Sequence, residues 1–198
     1  MRHPVLLLLP LLAACGTTTV SLPYMPTAAI QPAARPTIAS VMVTDGRSEK
    51  NPTWLGAVRG GYGNVVKTVA TARPVKDEVA AAFTSALAAR GLLASGGAAP
   101  YRLDVTVNGL SVNQWMRSDG QAAFTVALVD AGTSRTLYQD KSEAKVTAGS
   151  ALTFSTDRLA NDLRDLGVRA MSQAIDEALD RPGFVAAVRQ TQVAGAGL

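Results

Sequence analysis

The chain has 198 residues, 47% of them hydrophobic and 17% charged, with a formal net charge of +4, one cysteine and one histidine. A single cysteine cannot close an intrachain disulfide, and a charge this small does not by itself point to nucleic acid. The histidine, His3, and the cysteine, Cys15, both lie in the first 15 residues.

Arg2 precedes the apolar run Val5 to Leu12, and small Ala13 and Ala14 lead into Cys15. A cationic start, a short apolar stretch and small residues at the cut site form a secretory signal over 1–14. A spanning helix needs about 20 apolar residues, and here Thr17, Thr18 and Thr19 follow the cysteine almost at once. Leu12-Ala13-Ala14-Cys15 resembles the bacterial lipobox. That resemblance implies cleavage before Cys15, diacylation of its thiol and acylation of the freed amine, a modification visible as palmitate labelling. Beyond the lipidated Cys15, the mature domain would then contain no His or Cys. Serine and cysteine catalysis through histidine, and zinc or haem sites on His or Cys ligands, drop out, leaving no expected catalytic residue, metal or cofactor.

Residues 15–36, rich in Thr, Ala and Pro, read as a lipidated cysteine followed by an extended tether. A single domain is expected over 37–190. Its first strand is Ile38 to Asp45, ended by the turn formers Asp45-Gly46. From Gly46 to Arg73 the chain reads as a long irregular loop containing Gly56, Gly60, Gly61 and Gly63, and loops of that length commonly carry function. Pro74 opens a helix in which Val75, Val79, Phe83, Ala86 and Leu87 recur at helical spacing, and Gly91 stops it. Tyr101, Leu103, Val105 and Val107 alternate with polar residues as in a half-buried strand. The apolar positions then shift parity to Leu110 and Val112, so a glycine-assisted β-bulge at Asn108-Gly109 is expected.

Asp119-Gly120 is a hairpin signal; strands follow over Ala123 to Val129 and Thr136 to Val146. Ser155 or Thr156 can cap a second helix with an apolar stripe of Leu159, Leu163, Leu166, Ala170, Ala174 and Ala178, which Pro182-Gly183 would end. Residues 191–198 read as a disordered tail. The expected fold is α+β, in the order β-α-β-β-β-α: a largely antiparallel four-stranded sheet with two helices on one face.

The chain from about Pro36 to about Val188 resembles the YajG-like family of bacterial outer-membrane lipoproteins. The resemblance rests on Val41 to Arg47, on Leu55-Gly56 with Arg59-Gly60-Gly61-Tyr62-Gly63, on Ala88 to Leu92, on Leu103 to Leu110, and on the final amphipathic helix. It implies an outer-membrane protein acting near transport or peptidoglycan-recycling machinery, and it supplies no catalytic residues.

Charge is segregated. Arg47, Lys50, Arg59, Lys67, Arg73 and Lys76 crowd one stretch, whereas the second helix carries Asp157, Asp162, Asp165, Asp176, Glu177 and Asp180. With Trp54, Tyr62 and Trp115, the residues Arg47, Arg59, Lys67 and Arg73 are the candidate binding set, suited to an anionic glycan, lipid head group or protein partner. Trp115 and Met116 sit at a hairpin tip. Asp45 and Arg47 are better explained as a turn aspartate and an ion pair that orders the loop than as a ligand-contacting pair. Asp104, Asp119, Asp130 and Asp140 form no recognisable metal or glycosidase motif.

The reading is a non-enzymatic lipoprotein of the outer membrane, facing the periplasm and held through Cys15. Gly16, in place of an inner-membrane-retaining aspartate, favours that membrane. Its alternatives are an auxiliary lipoprotein of an ABC-type envelope transporter and a carboxylate-based glycan hydrolase.

Overall fold

The computed structural model describes residues 16–30, 35–97, 99–148 and 156–194. Cys15 and Ser155 lie outside the described residues, and with them the expected lipidation site and one of the two expected helix caps. The elements are β1 (Gly16–Val20), β2 (Ile38–Asp45), β3 (Trp54–Arg59), β4 (Val65–Thr71), α1 (Val75–Ala89), β5 (Tyr101–Gln114), β6 (Ser118–Asp130), β7 (Thr136–Ala148), α2 (Thr156–Asp180) and α3 (Pro182–Ala194).

The fold is mixed α+β, as expected, but the sheet is not four-stranded and antiparallel. It has seven strands in the order β1-β4-β3-β5-β6-β7, with β2 sharing one edge of β5 with β3. β2 runs parallel to the first half of β5, from Ile38 beside Tyr101 to Asp45 beside Val107. β3 runs parallel to its second half, from Gly56 beside Val112 to Val58 beside Gln114. The two short strands thus lie end to end along one long strand.

Three of the seven strands fall where none was expected. β3 and β4 form an antiparallel hairpin inside the presumed loop. β3 is central, and Leu55, Gly56, Ala57 and Val58 are all buried; a strand covered on both faces shows no alternation to read. β1 occupies the start of the presumed tether and pairs in parallel with β4, from Gly16 beside Lys67 to Val20 beside Thr71. Its threonines are β-branched and fit a pleated edge strand as readily as a linker.

α1 and α2 cover one face. Phe83 of α1 meets Phe124 of β6 edge to face, with ring centroids 5.4 Å apart. A Cβ on Gly120 would lie 2.7 Å from the backbone of Leu166 in α2, and residues 120 and 124 share a side of their strand. Every member of the expected α2 stripe is buried, together with Met171 and Ile175. Burying a Leu, Ile or Phe side chain of this kind is worth about 1.5–3 kcal/mol, so these layers account for a domain without disulfides.

The parity shift in β5 is a bulge: Val107 faces Phe124, and the next pair is Gly109 with Ala123. The expected reason for glycine there does not hold. Gly109 has no positive φ, and a Cβ on it would meet only the Ala123 Cβ, at 3.8 Å. Asp119-Gly120 is not the turn either; both residues lie in β6, and the chain reverses at Trp115–Arg117. Gly120 instead lies directly against the backbone of α2. α2 ends at Asp180, just before Pro182-Gly183 as expected, but the same pair opens a further helix, α3, since Pro suits a first helical position. Phe184 and Val188 of α3 are buried, and the Phe184 ring meets Tyr138 of β7. The expected tail is helical to Ala194, with Thr191 buried, and residues 195–198 lie outside the described residues.

Candidate functional site

The candidate binding residues separate into two groups. Arg47, Trp54 and Arg73 lie away from the sheet end that carries Tyr62 and Trp115. Arg47 has a side chain only 5% exposed. Its Nε and Nη2 each donate to Asp45 at 2.9 Å, and its Nη1 donates to the Trp54 carbonyl at 2.8 Å. The hydrogen bonds from Arg47 hold the Asp45 carboxyl below its ordinary range, against the upward push of burial. This guanidinium is spent on ordering the chain between β2 and β3. Trp54 is half-buried at the start of β3. Arg73 donates to Glu78 of α1 at 3.0 Å.

Arg59, Tyr62, Lys67 and Trp115 gather at the other end of the β3–β4 hairpin. The Gly60 amide donates to the Asn64 carbonyl and the Gly63 amide to the Gly60 carbonyl, each at 2.9 Å. Gly63 has φ +80°, a conformation glycine adopts without steric cost. Arg59 Nη1 braces the turn by donating to the Gly63 carbonyl at 3.1 Å, which leaves Tyr62 fully exposed at the apex. The β5–β6 turn abuts it: a Cβ on Gly63 would lie 3.8 Å from Trp115 Cζ2. The indole therefore lines the neighbouring turn.

Among the described residues, seven large apolar side chains are exposed, and five belong to these two hairpins: Tyr62, Val65, Val66, Trp115 at 56% and Met116 at 78%. Arg59, Lys67 and Arg117 supply positive charge beside them, with Asp119 the nearest carboxylate on β6. Asp162 and Asp165 stand on α2, in the other layer. Exposed apolar side chains and basic residues are thus gathered at one end of the sheet. The sequence signalled Tyr62, Trp115 and Met116; Val65, Val66 and Arg117 join them only because the two hairpins end side by side.

A second cluster escaped the sequence reading. Arg90, just after α1, is 5% exposed. Its Nη2 donates to Asp176 at 2.9 Å and to Asp180 at 2.9 Å, and its Nη1 donates to the Tyr24 hydroxyl at 2.9 Å. Tyr24 in turn donates to Asp176, which also accepts from the Thr27 amide at 2.8 Å. Burial would raise the Asp176 carboxyl, but hydrogen bonds from Thr27, Tyr24 and Arg90 hold it below its ordinary value. With Leu22 buried and its amide donating to Glu78, this network fastens the segment after β1 to both helices. Arg90 read as a helix terminus, and nothing local marks a partner 86 residues away.

Three more carboxylates are held by neighbours: Asp104 by Arg102 at 2.8 Å, Asp130 by the turn amides of Gly132 and Thr133, and Asp140 of β7 by Arg181, 41 residues on, at 2.6 Å. No described helix is long and apolar enough to cross a membrane.

No protein-family model matches the sequence, and no curated protein matches it. Among solved structures, the chain is similar to a Xanthomonas campestris protein of the family DUF330, with 17% identity and a TM-score of 0.57 over 89% of this chain and 99% of that one. A Chlamydia trachomatis protein aligns at 13% identity and TM-score 0.47 over 81% and 99% of the two chains. A minor lipoprotein of Acinetobacter baumannii aligns at 8% and 0.41 over 80% and 95%. The first of these likenesses shows that the fold is shared with a bacterial protein over nearly its whole length. The YajG-like assignment rests on the sequence motifs alone.

Proposed function

We propose that the protein is a non-enzymatic cell-envelope lipoprotein, anchored through Cys15, whose domain presents the paired tips of β3–β4 and β5–β6 to an anionic envelope ligand or partner. The observation that carries this reading is the gathering of Tyr62, Trp115 and Met116 with Arg59 and Arg117 at one end of the sheet. Aromatic rings supply contact area at low entropic cost, and guanidiniums, here the exposed Arg117 and the half-buried Arg59, supply affinity for phosphate or carboxylate. The lack of His and Cys after Cys15 and the structural pairing of Asp104, Asp130 and Asp140 support a role in binding rather than hydrolysis. Gly16 beside the lipidated cysteine favours the outer membrane.

Two experiments test the reading. Cys15→Ser should abolish palmitate labelling and release the chain from membranes; labelling that persists overturns the anchor. Converting Arg59, Lys67 and Arg117 together to glutamate should change the partners crosslinked in whole cells and leave the domain folded. An unchanged profile from an equally folded variant would remove the tips as the binding surface. Co-purification of an ATPase and permease would favour the transporter reading, and release of soluble sugar from sacculi the hydrolase reading.

A further inference from the structure

Strand pairing places the attachment point and the exposed rings in one line. Gly16 lies beside Lys67, Lys67 beside Val58, and Val58 beside Gln114, a single row across β1, β4, β3 and β5. Three strand spacings of about 4.8 Å make the row about 14 Å wide. Its far end is the residue before Trp115. Gly16 is also bonded directly to Cys15, and consecutive Cα atoms are about 3.8 Å apart. Because β1 begins at Gly16, no tether remains to hold the domain away from the bilayer that takes up the lipid.

We infer that the two hairpin tips dock into the headgroup region of the anionic bilayer that holds the anchor, with Tyr62, Trp115 and Met116 at the interface and Arg59 and Arg117 against lipid phosphates. This rests on the anchoring of Cys15 proposed above. Trp and Tyr side chains favour the membrane interface, having an apolar body and a polar edge. Basic residues near an anionic surface are attracted to it. Tethering makes the contact intramolecular, so a weak contact suffices. The lateral span also matters: a lipid under β1 and rings under β5 and β3 give contacts on both sides of the sheet end, which fixes the tilt of the strands against the membrane. A soluble ligand would give no reason for the rings and the attachment point to share an end.

The test uses the mature lipidated protein in vesicles of phosphatidylcholine with phosphatidylglycerol, some brominated on the acyl chains. The chain has two tryptophans, so Trp54→Phe leaves Trp115 as the reporter. Because Trp54 is half-buried, a second probe avoids any folding defect: Tyr62→Cys carrying a nitroxide, at a fully exposed turn position. Docking predicts blue-shifted Trp115 emission quenched by the brominated lipid, and a nitroxide shielded from an aqueous nickel reagent. Arg117→Glu should lower the docked fraction about fivefold or more, the scale of one basic residue at an anionic surface. Protein that floats with the vesicles while both probes stay in water overturns the docking and leaves the anchor standing. Protein that does not float overturns the anchor, and the docking with it.

Discussion

The side chains of Arg47 and Arg90 are largely covered and each donates to at least one carboxylate, whereas at the strand ends Arg117, Tyr62, Trp115 and Met116 stand in solvent. A buried guanidinium has given up water and is stable only while its partners stay in place; removing one partner exposes the full cost of desolvation. An exposed side chain has made no such commitment and is free to bind something else. Basic residues close together in the sequence therefore differ in what they can do, and burial sorts them.

Breaking the interior should have the largest effect. Arg90→Ala leaves Asp176 buried and removes the link among α1, α2 and the segment after β1, so a loss of about 3–5 kcal/mol is expected, the scale for a broken buried pair. Denaturant unfolding of the variant and the wild type measures it, and a loss under about 1 kcal/mol would mean the network is not cooperative. Next is Gly56→Ala. A Cβ there would lie 1.6 Å from the Val112 carbonyl oxygen, so β3 must shift away from β5, at about 1–3 kcal/mol, the cost of overpacking. Gly109→Ala is the control: its Cβ has room, and a change within about 0.5 kcal/mol is expected. Equal melting temperatures for the two variants would contradict the strand geometry.

Acid titration sharpens the same contrast. Asp45 and Asp176 have folded pKa values below the ordinary carboxylate value. The stability they contribute is complete above about pH 4 and is lost as the pH falls through their depressed values. Asp176→Asn should flatten that acid limb, and an unchanged slope would place the titration elsewhere. The smallest effect belongs to the tips. Tyr62→Ser is expected to move stability by less than about 0.5 kcal/mol, read as an unchanged melting curve, because the ring touches little in the folded domain.

What was legible in the sequence follows from how each element is buried. Ile38–Asp45, α1 and α2 each present one apolar side, and their periodicity gave them away; the parity change in β5 revealed its bulge. β3 is covered on both faces and carries Gly56, which reads as a loop but marks a close approach of backbones. β1 is a threonine run whose partner lies about fifty positions on. Gly120 looked like a turn because tight turns and tight helix contacts both call for a missing side chain. The tips were half legible: Trp115 and Tyr62 stood out as residues, but their meeting depends on which strands end together, and the pairing of β3 with β5 is not written locally. The Arg90 network was illegible for the same reason.

The parallel pairing of β1 with β4 also has a mechanical side. Any pull entering the chain through Gly16 acts along β1, and the pairs from Gly16–Lys67 to Val20–Thr71 lie side by side along that line. Such a load shears the ladder, straining its hydrogen bonds together rather than unzipping them one at a time. Behind the strand, Leu22, Tyr24 and Thr27 are gripped by the helices, so force reaching Val20 passes into the body of the domain. A load entering there is therefore shared by the whole β1–β4 ladder before any single pair gives way.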